Sequence, residues 1–317
     1  MSVKSNVLTI LEENKGVSVS GEEIAIMLGV SRTAVWKAVK SLLLDGHDIV
    51  GATNKGYVLR KNSNVLSEEG IKRLLETDSD VFVYDTLVST NDTAKIKAIE
   101  GAKNGTVIVA KEQTGGKGRR GRSFFSPNDS GIYMSVILTP NIAPEDCTLI
   151  TTASALVTAN VIEQLTKKPA LIKWVNDVYV DGKKCVGILT EGVFDLDGGN
   201  NNKIIVGIGI NLTTQNFPVD FACRAGNIGD VSKNVLVAKI VNELLKISRS
   251  LKDLKYLEEY RKKCFLLGKE VVVSGKEQFV AVARDVDEKG RLVVELTDGS
   301  VKILNNEEVS AKLNEHA

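Results

Sequence analysis

The sequence predicts an α+β chain in three domains: a winged helix-turn-helix over residues 1–63, a mixed α/β body over 64–265, and a small β-barrel over 266–317. Three observations predict it. Within the first sixty residues, two helix-capping signals flank a glycine turn and a strand pair follows. Between Val81 and Lys263, strand-like and helix-like runs alternate without the strict rhythm of a doubly wound sheet. After residue 268, short apolar runs are separated by turn dipeptides.

Val3, Val7, Leu8, Ile10 and Leu11 recur at helical spacing, and Gly16 ends that segment. Ser20 followed by Glu23 forms a capping box, in which each side chain accepts the other residue's backbone N–H, and opens a helix through Ile24, Ala25 and Leu28. Gly29 supplies the turn and Ser31 caps a third helix, with Val35, Val39, Leu42 and Leu43 expected as its apolar stripe. Ser31, Arg32, Thr33, Trp36 and Lys37, with Lys40, then present donors to phosphates and base edges of operator DNA. Asp48–Val50 and Gly56–Leu59 flank residues 51–55 as the two arms of a wing. Residues 1–61 hold eight Lys/Arg against six Asp/Glu, so charge alone would also fit a packing or dimerisation module; the ordered cap, turn, cap and wing favour DNA.

Lys61–Asn64 is a polar break, and Ser67-Glu-Glu restarts a helix. Strands are expected at Val81–Tyr84, Thr106–Ala110, Ile132–Leu138, Leu171–Trp174, Val178–Val180, Cys185–Leu189 and Ile204–Leu212. Helices are expected at 91–100, 145–167 and 234–263. Asp181-Gly182 joins two strands as a two-residue hairpin, since both types tolerate positive φ. Ser274-Gly275, Lys289-Gly290 and Asp298-Gly299 mark the turns of the terminal barrel.

Composition narrows the chemistry. Of 317 residues, 43% are hydrophobic and 26% charged, and 41 Lys/Arg balance 40 Asp/Glu, so a partner must be argued from local charge. Cys147, Cys185, Cys223 and Cys264 make no C-x-x-C pair, which predicts reduced, mostly buried thiols rather than a zinc ribbon. Only His47 and His316 exist, so a mechanism built on a histidine base is poorly supplied, and no protein metal site is expected. No basic-then-apolar leader opens the chain and no apolar run approaches the ~20 residues of a membrane span, so a cytoplasmic protein with no membrane partner is expected.

The chemistry concentrates in Lys111–Arg122, where glycines alternate with Lys117, Arg119, Arg120 and Arg122. Glycine lets backbone approach a phosphate, and clustered guanidiniums neutralise one but repel each other without it. The loop is therefore expected to be mobile when empty and to order around an anion. It is not a Walker loop, and alone it would fit a solvated or nucleic-acid-binding segment. Three further clusters change that balance. Ser89-Thr90-Asn91 stands between a strand and a helix, where it could also serve as a cap. Lys173-Trp174-Val175-Asn176-Asp177 ends a strand, and Lys183-Lys184 opens the strand after the hairpin. Gly207-Ile-Gly209-Ile-Asn211 places small residues on a buried strand, for ligand approach or for close packing.

Together these pieces resemble the biotin–protein ligase family. Gly116-Lys-Gly-Arg-Arg-Gly121 is similar to its Gly/Arg-rich biotin loop and Lys173–Asp177 to its KWPND motif, and the likeness spans the winged helix of the bifunctional repressor subgroup. The resemblance implies a class II synthetase-like catalytic fold, an SH3-like C-terminal domain and biotin–[acetyl-CoA-carboxylase] ligase activity. It implies that Ser89, Thr90, Asn91 and Gln113 hold the biotin ring, and that Lys117, Gly118 and Arg119 line the carboxylate and phosphate. Lys184, chosen over Lys183 because it directly precedes Cys-Val-Gly-Ile-Leu, is implied to reach the reacting oxygen as a catalytic residue beside Arg119. Lys173, Asn176, Arg122 and Asn211 are implied on the nucleotide side. ATP with Mg²⁺, biotin and the intermediate biotinyl-5′-AMP are the implied ligands. A biotin carboxyl carrier domain, operator DNA and a homodimer in the adenylate-bound form are the implied partners. Lys117 stands where arginine is commoner, which loses a bidentate fork but keeps the charge, and Val175 replaces the motif's proline. A lipoate ligase and a ligand-sensing transcription factor without catalysis are the competing readings.

Overall fold

The computed structural model describes residues 2–52, 56–143, 146–193, 202–274, 278–305 and 307–311. The wing tip at 53–55, Gly275 of one expected turn and His316 lie outside the described residues.

The N-terminal module forms as its caps dictate. Helices α1 (Val3–Glu13), α2 (Gly21–Leu28) and α3 (Arg32–Leu44) precede an antiparallel pair, β1 (Ile49–Ala52) and β2 (Gly56–Leu59), in which Ile49 faces Leu59. Both halves of the Ser20–Glu23 capping box are made, at 3.0 and 2.9 Å, and Gly29 closes α2 at φ +63°. The core joins Val7, Leu8, Leu11, Ile24, Val35, Val39, Leu42, Ile49 and Leu59. The expected stripe on α3 is corrected at one position: Ala38 turns inward and Leu43 is 47% exposed, because 100° per residue carries Leu43 past the face that Leu42 occupies.

After a short helix α4 (Glu68–Lys72), capped by Ser67, comes a seven-stranded sheet. In chain order its strands are β3 (Val81–Leu87), β4 (Val107–Gln113), β5 (Gly131–Leu138), β6 (Ala170–Lys173), β7 (Asp177–Val180), β8 (Lys183–Val193) and β9 (Lys203–Asn211). Their spatial order is β3-β4-β5-β9-β8-β7-β6, with β3 and β4 parallel and the other neighbours antiparallel. Asp181 and Gly182 take φ of 52° and 73°, the hairpin expected between β7 and β8. One face of the sheet is covered by α6 (Cys147–Thr166) and α8 (Lys233–Arg249); the other carries α5 (Thr90–Ile99), whose Ala94 and Ala98 pack on Ile108, Ile137 and Ile205.

The expected single helix over 234–263 is two. Helix α8 stops at Arg249, and α9 (Tyr256–Lys263) begins after Leu254 takes φ +54°. The break lets Tyr256 and Tyr260 turn inward against α6 and β6, where Tyr260 Oη donates to Val175 O at 3.1 Å.

Beyond the four-residue helix α7 (Val219–Ala222), the C-terminal strands β10 (Glu270–Ser274), β11 (Gln278–Val286), β12 (Leu292–Glu295), β13 (Val301–Leu304) and β14 (Glu308–Ala311) form an antiparallel sheet ordered β13-β12-β11-β10-β14. Among the described residues β13 and β14 do not pair, so the ladder expected as a barrel stays open between them. Its Val271, Val273, Ala281 and Val294 join the core of the central body, and Trp174 Nε1 donates to Gly290 O at 3.0 Å across the junction. Among the described residues, no helix is long and apolar enough to cross a membrane.

The N-terminal module is seated on the body by polar contacts. Ser5 Oγ donates to Glu69 and Arg73 donates to Glu12 O, while within the module Lys15 Nζ reaches Ser63 O at 3.0 Å. His47 is buried nearby with no hydrogen bond to Nδ1, and burial lowers its pKa from the ordinary 6.5 despite Asp45 and Glu69. A proton that the unfolded chain accepts is thus refused by the folded one, so this stability is complete above 6.5 and declines as pH falls toward the lowered folded value. Urea melts at about pH 7.5 and about pH 5.5 should show the native chain weaker at the lower pH, with His47→Gln reducing the difference. An undiminished difference in the variant would assign it to other groups.

Candidate functional site

A cavity of about 570 Å³ opens on the α5 face of the sheet. Alternation along the strands explains its floor. Ser135 on β5, Gly207 on β9 and Leu189 on β8 stand side by side, and so do Tyr133, Gly209 and Gly187 in the next row. Glycine at 187, 207 and 209 keeps this floor low. A Cβ at Gly207 would lie 2.2 Å from Asn91 Oδ1, and one at Gly209 would lie 2.5 Å from the Phe124 ring. The glycines therefore serve close packing against an α5 side chain and a loop aromatic, the second of the two reasons weighed for them.

The cavity gathers every residue singled out for the acid and the nucleotide: Ser89, Thr90, Asn91, Gln113, Lys117, Gly118, Arg119, Arg122, Lys173, Asn176, Lys184 and Asn211 all line it. Ser89 caps α5, its Oγ accepting from Asp92 N at 3.4 Å, so the capping role and a place in the cavity coexist. Thr90 N–H donates to Gln113 Oε1 at 2.8 Å. Asn211 is buried, its Nδ2 donating to Gly226 O at 3.0 Å while Oδ1 has no partner.

Lys184 reaches the cavity because of an irregularity. Tyr179 opposes Lys184 but Val178 opposes Val186, so Cys185 is an extra residue in β8. Without it the period of two would put Lys183, not Lys184, on the face of Gly187 and Leu189. With it, Lys184 lines the cavity, its Nζ 2.7 Å from Asp177 Oδ1, and Lys183 stays exposed.

The basic loop is held by contacts to separate elements. Lys117 Nζ sits 2.7 Å from both oxygens of Asp92, and Arg122 pairs with Glu308 of β14. Arg119 Nη1 donates to Asn176 Oδ1 at 3.1 Å, while Asn176 Nδ2 donates to Ile188 O at 2.7 Å. Burial pushes the Arg119 and Lys173 pKa values down, and Asp177 opposes the shift at both. Among the described residues, no group of three His, Cys, Asp or Glu is placed to hold a metal ion.

Sequence reasoning passed over Phe124, Ser135, Glu191 and Glu308. Ser135 had a local signal, a small hydroxyl inside the otherwise apolar run of β5. The other three join the site only through tertiary contacts. On the recognition helix, Ser31, Arg32, Thr33, Trp36 and Lys37 are all exposed on one end, and Lys40 Nζ lies 5.3 Å from the centre of the Trp36 ring.

A family model described as the biotin/lipoate A/B protein ligase family matches residues 84–211, and one described as an HTH domain matches residues 3–58. The bifunctional ligase/repressor BirA of Bacillus spizizenii is 34% identical over 236 residues, which cover 73% of this chain and 72% of that protein. The chain belongs to the bifunctional ligase/repressor family of biotin protein ligases. BirA of Escherichia coli K12 is 29% identical over 305 residues, covering 92% of both chains. The structure of biotin protein ligase from Aquifex aeolicus in complex with biotin and ATP superposes with a TM-score of 0.63 at 26% identity, covering 74% of this chain and 99% of that one. That ligase fold therefore matches most of this chain.

The crowded floor gives a direct test. Gly207→Ala forces its Cβ against Asn91, and overpacking of this kind costs about 1–3 kcal/mol. A chemical melt should show that loss, whereas an unchanged melt would mean the strand has room for a methyl group.

Proposed function

We propose that the chain is an ATP-dependent biotin–protein ligase that also represses transcription, with biotinyl-5′-AMP as both intermediate and corepressor. The observation that carries this reading is the convergence of four separated sequence clusters on one cavity. In it, Ser89, Thr90, Asn91 and Gln113 hold the biotin ring. Lys117, Gly118, Arg119 and Lys184 face the carboxylate, and Lys173, Asn176, Arg122 and Asn211 the nucleotide.

Both reactants are anions, so the first task of the site is to cancel their repulsion. A carboxylate oxygen of biotin attacks the α-phosphorus of ATP as the bond to pyrophosphate breaks. Lys184 and Arg119 stabilise the charge on the oxygens around that phosphorus. Asp177 pairs with Lys184 at 2.7 Å and opposes the burial that lowers the Arg119 pKa. Mg²⁺, when bound, would arrive with ATP and neutralise the polyphosphate, since Asp177 Oδ1 is already paired with Lys184 and, among the described residues, no acidic cluster is placed to hold a metal ion by itself. The lysine amine of a biotin carboxyl carrier domain then attacks the acyl carbon, AMP leaves, and the amine gives up a proton. No covalent bond to this chain is needed, which agrees with the scarcity of histidine.

The exposed Lys117 and Arg122 exchange Asp92 and Glu308 for ligand phosphates, and the loop closes over the anhydride to exclude water. The adenylate-bound form dimerises and places two recognition helices on a two-fold operator in the cytoplasm.

Lys184→Ala should lower the rate of adenylate formation, read as pyrophosphate release, by on the order of 10²-fold. Near-native release would show that another cation carries the charge. Sedimentation of the native chain should shift from monomer to dimer when biotin and ATP are added together; an unchanged coefficient would remove the dimer from the repression mechanism.

A further inference from the structure

The cavity floor carries a continuous line of hydrogen bonds that begins at an ion pair beside it. Lys95 Nζ donates to Glu191 Oε1 at 2.6 Å, and Asn91 Nδ2 donates to Glu191 Oε2 at 2.7 Å and to Leu189 O at 3.3 Å. Ser135 Oγ lies 2.6 Å from Asn91 Oδ1 and 2.8 Å from Thr90 Oγ1. Gln113 Oε1 accepts from Thr90 N at 2.8 Å and lies 3.1 Å from Thr90 Oγ1. Ser135, Asn91 and Thr90 are 0%, 4% and 4% exposed, so bulk water does not complete the line.

Counting protons fixes its direction. A carboxylate and a backbone carbonyl only accept, so both draw the NH₂ end of Asn91 and leave Oδ1 facing Ser135. An amide oxygen also only accepts, so the single Ser135 proton goes to Asn91 and none remains for Thr90. On its other side Thr90 meets Gln113 Oε1, again an acceptor. The Thr90 hydroxyl therefore gives its own proton to one neighbour and receives none, and its lone pairs are left for an occupant of the cavity that it lines.

We propose that Glu191, held by Lys95, is a positioning residue that sets the polarity of this line and makes Thr90 an acceptor toward the bound acid. The proposal rests on the ligase reading and deepens it toward specificity. The ligand so selected carries an N–H donor at its ring end. The cyclic urea of biotin has two such groups; the dithiolane ring of lipoate has none and leaves Thr90 unpaired. Sites built to pair a buried polar group reject analogues that lack its partner far more strongly than apolar pockets reject a size change.

The test is calorimetric titration of the full chain with biotin, lipoate and ATP in turn. Native binding of biotin tests the ligase reading alone; its absence would remove both claims. Glu191→Gln offers one acceptor to two donors, and the charged Lys95 takes it. The remaining NH₂ faces Asn91 at the shorter of its two contacts, 2.7 Å against 3.3 Å to Leu189 O, and outweighs that carbonyl, so Asn91 turns over, donates to Ser135 and sends the Ser135 proton to Thr90. Biotin Kd is expected to rise about tenfold, with ATP Kd changed by less than about twofold. Adding Lys95→Met frees the Gln oxygen for Asn91, and the double variant is expected to recover biotin binding to within about threefold of native. A mere loss of packing would not recover. Native biotin affinity in Glu191→Gln, equal weakening toward ATP, or a double variant as weak as the single one would each overturn the proposal.

Discussion

Asp177 is the charge on which the site depends. Lys184 pairs with it at 2.7 Å, and it opposes the burial that lowers the pKa of Arg119 and of Lys173. Two like charges about 4 Å apart repel by about 4 kcal/mol at the effective dielectric of a partly wet site, so an anion among these three cations offsets a repulsion of that order. The outer cations are treated differently: Lys117 goes to Asp92 on α5 and Arg122 to Glu308 on the C-terminal sheet. Of the four cations between Lys117 and Arg122, two thus have acidic partners, one on α5 and one on the C-terminal sheet, while Arg119 reaches the neutral Asn176.

The elements with local causes were legible in the sequence. The capping box at Ser20, the hairpin at Asp181-Gly182 and the strands of the central sheet are set by neighbours along the chain, and they appear within a few residues of their expected bounds. The division of 234–263 was not legible, since no glycine or proline marks it; burial of Tyr256 and Tyr260 against α6 and β6 makes Leu254 adopt a left-handed turn. Leu43 failed for a related reason, as an apolar side chain one step beyond the buried arc. The terminal strands were legible, but not their merger with the core of the body, which depends on long-range contacts such as Trp174 with Gly290.

The candidate site was legible as residue types and only partly as geometry. Alternation along β8 would have favoured Lys183; choosing Lys184 needed the family pattern, and the extra residue at Cys185 is the physical reason for it. Phe124, Glu191 and Glu308 had no local signal, because each acts through a partner distant in sequence: Gly209, Asn91 and Arg122 respectively. A motif shows which groups meet the ligand. The groups that orient them are set by the sheet.

The same sheet ties the two halves of the molecule together. Helix α1 rests on α4 through Ser5 with Glu69 and Arg73 with the Glu12 carbonyl. Glu68 of α4 accepts the backbone N–H of Val83 on β3, which runs parallel to β4, and β4 ends at Gln113 in the cavity wall. The DNA-reading module is therefore not a bead on a slack tether. Its first helix, the strand pair β3–β4 and the residue that anchors Thr90 form one contiguous body.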